Sequence, residues 1–356
     1  MASIVLDSKK LRANFNYLDK LFAKHDIKWS VVSKMLCGNR LFIRELIRLG
    51  ITQVCDSRVS NLRAIKTLAP EIETIYIKPP PKTQISAVVR YADISFNTEY
   101  ETIRMLSKEA TNQGKVHKII IMIELGELRE GVMRDDVVDF YAGVFELPSI
   151  EVVGIGTNLS CLYGVLPNHD KLIQLSLYKQ LIEVKFNKKI PYVSGGSSVT
   201  IPLIDQKLLP TGINHFRVGE TLYLGTDVYN NTTYKKMHRD VFTLYAEIIE
   251  LIEKPLVPMG EMGTNVEGQS FDFPDGEIGK TSYRAILDIG LLDVEETHIE
   301  PADPTQRFVG ASSDMLVVDL GQNKKNYKVG DTLKFQLDYL GTLRIINSRY
   351  IEKKVI

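Results

Sequence analysis

The stretch WSVVSKMLCGNRLFIRELIRLG, residues 29–50, reads as a strand followed by a helix. Its first part, Trp29–Lys34, is a short run with Val31 and Val32 at its centre and without regular alternation of polar and apolar residues, as in strands that are buried on both faces. Its second part carries apolar side chains at helical spacing from Leu41 to Ile47 and then Gly50, a residue that commonly ends a helix. The stretch therefore predicts one strand–helix unit.

The same unit recurs as far as Gly225, after an opening helix at about residues 9–25. The eight predicted strands are 29–34, 53–56, 74–78, 94–97, 118–125, 152–160, 192–197 and 215–224. Eight units over this length predict a (β/α)8 TIM-type barrel. The competing fold is an open doubly wound sheet, which usually has a glycine fingerprint after its first strand, whereas residues 33–38 read SKMLCG.

The pattern changes after Gly225, where strands follow one another without helices between them. Residues 229–239 are polar and predict a linker, and residues 260–279 predict a long loop. The predicted strands are 241–252, 283–289, 315–320, 332–337 and 343–351. We therefore expect two domains, a barrel over 1–228 and a C-terminal mainly-β domain over 240–356.

Composition limits the partners and the compartment. Lys plus Arg and Asp plus Glu are 44 each, so no overall charge attracts nucleic acid or an anionic membrane. The three cysteines are Cys37, Cys55 and Cys161, and none forms a CxxC pair. Neither a disulfide framework nor a metal site is indicated. The N-terminus meets an acid before any long apolar run, so we expect no signal peptide and a cytoplasmic location.

Two strand ends carry candidate catalytic or binding residues, because barrel enzymes place their active sites where strands end. Lys34 closes the first strand, and burial there would favour a neutral amine that can form an imine; alternatively, the lysine extends to solvent. Residues 194–198, SGGSS, close the seventh strand and open a helix, where small residues let backbone N–H groups approach an anion. The alternative is an ordinary serine helix cap.

Two further strand ends carry arginine. Arg217 lies in FRVGE, residues 216–220, and barrels often bind phosphate between the loops after strands seven and eight. Arg217 could instead pair with Glu220. Arg129 lies in ELGELREG, residues 124–131, where it could bind a carboxylate through two parallel hydrogen bonds or remain an exposed loop residue. Together the four strand ends suggest a phosphate-bearing ligand and an amine-bearing one.

In this order the segments resemble the alanine racemase family of fold-type III pyridoxal-phosphate enzymes. Residues 31–34, VVSK, look like the strand that carries the cofactor lysine, and residues 125–131 resemble the segment Thr-Gly-Met-x-Arg-x-Gly. Residues 216–225 resemble the strand Arg-Pro-Gly-x-x-Leu-Tyr-Gly, and residues 309–320 resemble the Met-Asp motif of the C-terminal domain. Residues 33–38 and 193–197 are most similar to the ornithine racemase branch.

The resemblance implies pyridoxal 5'-phosphate as the cofactor and L/D interconversion of an amino acid as the reaction. Lys34 would form the aldimine with the cofactor and act as the base on one face. Arg217 would face the pyridine nitrogen, where a cation disfavours protonation of the ring. Ser197, Gly219 and the backbone N–H of Glu220 would hold the phosphate.

Two further residues take positions beside the ligands. Asn158 stands where the family has a histidine beside the cofactor ring. Arg129 would reach the substrate carboxylate or the phenolic oxygen of the cofactor.

The chain departs from the family where a second proton carrier is needed. The family's catalytic tyrosine of the C-terminal domain aligns near Leu291, and its phosphate-binding tyrosine is replaced by Gly38. A racemase that uses two bases needs a proton carrier on each face. Tyr283 and Cys37 are the candidates, and each is more often a packing residue. Asp314 matches the family and would orient the group that serves there.

The substrate expected from the resemblance is ornithine or another basic amino acid, whose distal amine calls for a carboxylate. Asp288 is the first candidate, and Asp293, Glu295 and Glu296 lie in the same stretch, although such acids are usually solvated. The alternatives are a racemase of alanine, serine or broad specificity, a D-amino-acid lyase or aldolase of the same fold, and a non-catalytic protein of pyridoxal-phosphate homeostasis. By analogy with the family we expect a homodimer.

Overall fold

A computed structural model describes residues 2–265, 268 and 270–356. The chain divides into two compact units. One unit is Lys9–Arg239, and the other joins the N-terminal residues up to Ser8 to Asp240–Ile356. The boundaries expected from the sequence, 1–228 and 240–356, differ from these units because the N-terminal residues belong with the C-terminal ones.

A parallel barrel forms the core of the unit Lys9–Arg239. In the described residues its strands are β2 (Lys28–Val32), β3 (Gln53–Asp56), β4 (Glu73–Tyr76), β5 (Ile94–Asn97), β6 (His117–Met122), β7 (Ile150–Gly156), β8 (Tyr192–Ser194), β9 (Gly196–Ser197) and β10 (His215–Val218). They pair in the order β8-β7-β6-β5-β4-β3-β2-β10-β9. Only Gly195 separates β8 from β9, so these two short strands act as one strand and join the two edges of the sheet. The predicted TIM-type barrel is confirmed.

Helices alternate with these strands. They are α1 (Ser8–Lys24), α2 (Arg40–Arg48), α3 (Val59–Leu68), α4 (Ile85–Tyr91), α5 (Tyr100–Asn112), α6 (Val137–Phe145), α7 (His169–Phe186), α8 (Pro202–Asp205) and α9 (Glu220–Leu224). The Asn39 side chain begins α2 by accepting hydrogen bonds from the N–H groups of Leu41 and Phe42. No helix in the described part of the chain combines the length and apolar character that a membrane span requires.

The barrel interior combines an apolar cluster with buried polar side chains. Val32, Cys55, Ile75 and Phe96 belong to the cluster, and each is at most 7% exposed. Gly196 has no side chain because a Cβ there would meet the Phe216 ring at 2.2 Å. Closure of the barrel between β9 and β10 therefore depends on this glycine.

The second unit is built on an antiparallel sheet. Its elements are β1 (Ser3–Leu6), β13 (Phe242–Pro255), β14 (Thr281–Leu287), β15 (Ile299–Pro301), β16 (Arg307–Ala311), β17 (Leu316–Asp319), β18 (Thr332–Leu337), α10 (Tyr339–Asn347) and β19 (Glu352–Val355). The main order is β15-β18-β13-β14-β17-β16. Strand β1 pairs antiparallel with β13 and parallel with β19, so the N-terminal strand lies between two strands from the other end of the chain.

Three predicted segments differ from the structure. The predicted strand 343–351 is wrong, because Asp338 caps helix α10 by accepting the Gly341 N–H, and Thr342, Ile345 and Ile346 bury one helical face. The predicted strand 215–224 ends at Val218 and continues, after Gly219, as helix α9. The predicted linker 229–239 contains strand β12 (Thr232–Thr233), which pairs with β11 (Thr226–Asp227).

Candidate active site at the carboxyl ends of the barrel strands

Arg217 is a buried cation in the barrel interior, on strand β10. Its Nη1 donates to the Ser194 carbonyl at 2.7 Å and to Ser194 Oγ at 2.6 Å, and its Nη2 donates to the Thr157 carbonyl at 2.8 Å. The guanidinium also lies 5.2 Å from the centre of the Phe96 ring. Burial lowers the pKa of Arg217, and the nearby Glu130 is one of the groups that oppose this shift. The contacts fix the orientation of the guanidinium.

A hydrogen-bonded chain continues from Arg217 towards the other end of the barrel. Ser194 Oγ lies 2.7 Å from His215 Nδ1, and His215 Nε2 lies 2.8 Å from Gln53 Oε1. Gln53 Nε2 then donates to the Glu73 carboxylate at 2.5 Å. Burial and the charge of Arg217 lower the pKa of His215 to about 3, so the imidazole is neutral. No local sequence pattern indicates a role for Gln53, Glu73 or His215.

The loop after β6 brings Arg129 and Glu130 together with Asn158 from the loop after β7. Arg129 Nε lies 3.1 Å from Glu130 Oε2, and Asn158 Nδ2 donates to Glu130 Oε1 at 3.4 Å. Burial raises the pKa of Glu130, although the charges of Arg129 and Arg217 oppose the shift. Glu130 therefore joins the candidate residues, although the sequence pattern singled out only its arginine neighbour.

Glu127 anchors the loop after β7. Its carboxylate accepts five backbone N–H groups, those of Ser160, Cys161, Leu162, Tyr163 and Val165. Burial alone would raise the pKa of Glu127, but these hydrogen bonds outweigh it, and the pKa is lowered. One buried carboxylate thus ties the loop that carries Arg129 to the loop that carries Asn158.

The predicted phosphate-binding residues come from two adjacent segments. Strand register places Ser197 beside Arg217, and Ser198 Oγ accepts the Thr221 N–H at 3.3 Å. A Cβ on Gly219 would lie 3.0 Å from Val32 Cβ and 3.1 Å from its carbonyl oxygen, so the chain passes close to β2 here. The structure brings Ser197, Gly219 and Glu220 to the same end of the barrel.

Lys34 follows β2 after a single residue, Ser33, and starts a short 3-10 turn, Lys34–Leu36. Its side chain is exposed, so the burial that was expected to favour a neutral amine is not present. The preceding Ser33 is buried, and its hydroxyl donates to Asp56 at 2.7 Å. Gly38 has φ +73°, and a Cβ there would meet Asn61 Oδ1 at 2.5 Å. This turn leaves no room for the tyrosine that the family has at that position.

Tyr283, Asp288 and Asp314 all lie in the second unit. Tyr283 is half-buried in β14, and its N–H and C=O bond the chain at 320–321. Asp314 is exposed and lies against Gly290, where a Cβ would be 2.6 Å from its Cα. The register pairs Leu287 with Leu316, whereas Tyr283 bonds the chain at 320–321, so Tyr283 and Asp314 lie at opposite ends of the β14–β17 pair. The structure therefore does not bring Tyr283 and Asp314 together.

The candidates for binding a distal amine differ in their surroundings. Asp288 is exposed at the end of β14, and its N–H donates to the Glu247 carbonyl at 3.1 Å. Asp293 accepts the Ser348 hydroxyl at 2.9 Å, and Glu295 pairs with Arg344 at 2.6 Å. Asp293 and Glu295 are thus engaged in contacts within the second unit.

Proteins with this type of barrel bind ligands or catalyse reactions at the carboxyl ends of the strands, where the polar side chains of this chain also lie. Comparison with known proteins identifies the family, because residues 6–227 match the family model "Alanine racemase, N-terminal domain". The chain belongs to the alanine racemase family.

Individual relatives match nearly the whole chain. Ornithine racemase of Acetoanaerobium sticklandii is 38% identical, and the match covers 99% of each protein. Lysine racemase of Thermotoga maritima is 29% identical over 98% of this chain and 97% of the relative. Among solved structures, alanine racemase from Streptomyces lavendulae has a TM-score of 0.77 at 15% identity, covering 100% of this chain and 97% of that one. The predicted family and the resemblance to ornithine racemase are confirmed.

Proposed function

We propose that this protein is a pyridoxal-phosphate-dependent amino-acid racemase that interconverts the L and D forms of ornithine or another basic amino acid. The observation that carries the proposal is the 38% identity to ornithine racemase over 99% of both chains. The similarity extends through the second unit as well as the barrel. The relative named lysine racemase supports a substrate with a distal amine.

The residues at the barrel mouth fit the proposed cofactor. The contacts of Arg217 described above use three of its five N–H groups, so two remain to donate to an acceptor such as a ring nitrogen. Gly219 presents backbone and no side chain at the same end of the barrel as Ser197, which suits a phosphate. When bound, pyridoxal phosphate supplies an acceptor for the electron pair left at the α-carbon.

The roles of the chain's own residues follow from these positions. Lys34 holds the cofactor through its amine and moves a proton on one face of the α-carbon. Ser197, Gly219 and Glu220 bind the phosphate, Asn158 lies beside the ring, and Arg217 donates to its nitrogen. An exposed Lys34 reaches a ligand without a rearrangement of the barrel core.

The substrate and the second proton carrier complete the proposal. Arg129 binds the substrate carboxylate, and Glu130 holds the guanidinium in place. Asp288 binds the distal amine. Tyr283 is the candidate for the proton carrier on the opposite face. Asp314 is proposed to act near Leu291 and independently of Tyr283, because the two side chains lie far apart within the second unit.

The proposal includes a homodimer and a cytoplasmic location. Cys55 and Cys161 are free thiols, as is common for proteins of a reducing compartment. Analytical ultracentrifugation of the active protein tests the assembly. A fully active monomer of 40.3 kDa would refute the homodimer.

The activity is tested by incubating the purified protein and pyridoxal phosphate with single enantiomers of ornithine, lysine and alanine, followed by chiral chromatography. We expect the opposite enantiomer of ornithine or lysine to accumulate, and Lys34→Ala to abolish this. Conversion of alanine alone would refute the basic substrate, and release of ammonia or an aldehyde would indicate a lyase or aldolase. Cofactor binding without any conversion would indicate a homeostasis protein.

A further inference from the structure

The barrel interior contains a continuous row of polar side chains from Arg217 at the mouth to Glu73 at the opposite end. We propose that Ser194, His215, Gln53 and Glu73 form a one-directional hydrogen-bonded chain that positions the Arg217 guanidinium against the cofactor ring. His215 and Glu73 are positioning residues in this proposal and touch no reacting atom. The inference rests on the proposed function, because it assigns Arg217 to the cofactor.

The direction of the chain follows from what each group can donate. A guanidinium only donates, so Ser194 Oγ accepts from Arg217, and its single hydrogen is free to point to His215 Nδ1. Since Nδ1 then accepts, the proton of the neutral imidazole sits on Nε2. The carboxylate of Glu73 only accepts, which directs the amide nitrogen of Gln53 to Glu73 and its oxygen to His215. Each donor therefore points away from Arg217.

The surroundings of His215 maintain this state. His215 is fully buried, and Ser30 Oγ lies 2.9 Å from Nε2 while donating to Gln53 Oε1. The charged groups that act on the ring are Arg217 and Lys28, and both disfavour a second proton on the imidazole. The Tyr192 ring packs against the imidazole edge at 5.1 Å. His215 thus remains neutral across the physiological pH range.

A chain with a cation at one end and an anion at the other is polarised along its whole length. Hydrogen bonds in such a row strengthen one another in a low-dielectric interior. The consequence at the mouth is a Ser194 oxygen that is a stronger acceptor for Arg217, so the guanidinium is held in one orientation before a ligand arrives. Removal of either His215 or Glu73 weakens this hold without changing a residue at the mouth.

The decisive variant is Glu73→Gln, which removes the anion, keeps the shape of the side chain and lies at the end remote from the mouth. His215→Leu breaks the chain in the middle, and His215→Asn can restore an acceptor for the Ser194 hydroxyl. The matched control is His117→Leu, because His117 is also buried and neutral but bonds Ser95 on strand β5.

Two readouts other than turnover test the inference. Titration with pyridoxal phosphate should show roughly tenfold weaker binding and a shifted absorbance maximum for Glu73→Gln and His215→Leu, with partial recovery in His215→Asn. Effects of this size are usual for outer partners that orient metal ligands. Nitrogen NMR of labelled histidine should show His215 neutral and protonated on Nε2. Thermal unfolding identifies a variant that fails to fold, in which case Glu73→Gln decides the test.

The outcomes separate this inference from the proposed function. If the wild-type protein does not bind pyridoxal phosphate, the proposed function fails, and the cofactor role of Arg217 fails with it. If the wild type binds and both chain variants behave like His117→Leu, the proposed function stands and the positioning role is refuted. Protonation of His215 on Nδ1 would also refute it, since the chain would then run in no single direction.

Discussion

Replacement of Glu127 by glutamine should release the loop after β7 while leaving the barrel strands intact. Glu127 Oε1 accepts the N–H groups of Cys161, Leu162 and Tyr163, and Oε2 accepts those of Ser160 and Val165. Glutamine keeps one acceptor oxygen and turns the other into an amide nitrogen. Two or three of the five N–H groups therefore lose their acceptor.

The size of the effect follows from this count. A hydrogen bond contributes about 1 kcal/mol net, and more where the acceptor is charged, but water reaches the exposed parts of this loop and replaces some of the loss. The expected cost to the closed loop is about 2–3 kcal/mol, which corresponds to roughly a 30- to 150-fold larger open population.

Hydrogen exchange followed by mass spectrometry measures this population. Peptides that cover residues 158–166 should exchange roughly 30 to 150 times faster in Glu127→Gln, and peptides from β6 and β7 should be unchanged. The matched control is Glu151→Gln, an exposed position at the start of β7. Unchanged exchange at 158–166, or an equal increase across the whole barrel, would refute the anchoring role.

Three further predictions concern the same chain. The pKa of Glu127 is lowered in the folded protein, so its contribution to loop stability is present above the pKa of an unfolded glutamate and is lost as pH falls through the folded value. After correction for the intrinsic pH dependence of amide exchange, acid should therefore lower the protection of the loop in the wild type but not in Glu127→Gln. Gly196→Ala should cost about 3 kcal/mol in urea unfolding because its Cβ overlaps the Phe216 ring, whereas Gly276→Ala, which has open space, should cost nothing; equal stabilities would contradict the clash. Asn39→Ala should lower the unfolding free energy by about 1 kcal/mol through loss of the α2 cap, and an unchanged urea midpoint would exclude this role.

The barrel was predictable because its strands leave a local signal. Residues 53–56 and 94–97 are short segments, each with two apolar residues, that lie between helical segments, and the structure places strands at these same residues. The strand predicted at 343–351 is wrong because its apolar residues belong largely to helix α10, which begins at the Asp338 cap outside the predicted range. Strand β1 was missed since its four residues gain their partners only from the far end of the chain.

The candidate site was predictable only in part. Lys34 and Arg217 stand at strand ends, and position alone indicated them. His215 and Gln53 are 162 residues apart, so no local pattern reveals that the imidazole and the amide meet. Glu127 was visible in the segment 124–131, but the number of N–H groups that it accepts depends on how a distant loop folds back. Local sequence indicates which residues face a site, whereas partners across the barrel require the fold.

Strand β1 affects how the protein can be divided. Because Ser3 pairs with both Tyr245 and Glu352, a gene fragment that starts at Asp240 would encode β13 and β19 without the strand that joins them. Such a fragment should aggregate through its two unpaired edges, and adding residues 2–8 as a synthetic peptide, or fusing them ahead of Asp240 through a glycine-rich tether, should restore solubility. During synthesis β1 cannot pair with β19 until residues 352–355 have left the ribosome. The second unit therefore completes its folding only after the barrel has been made.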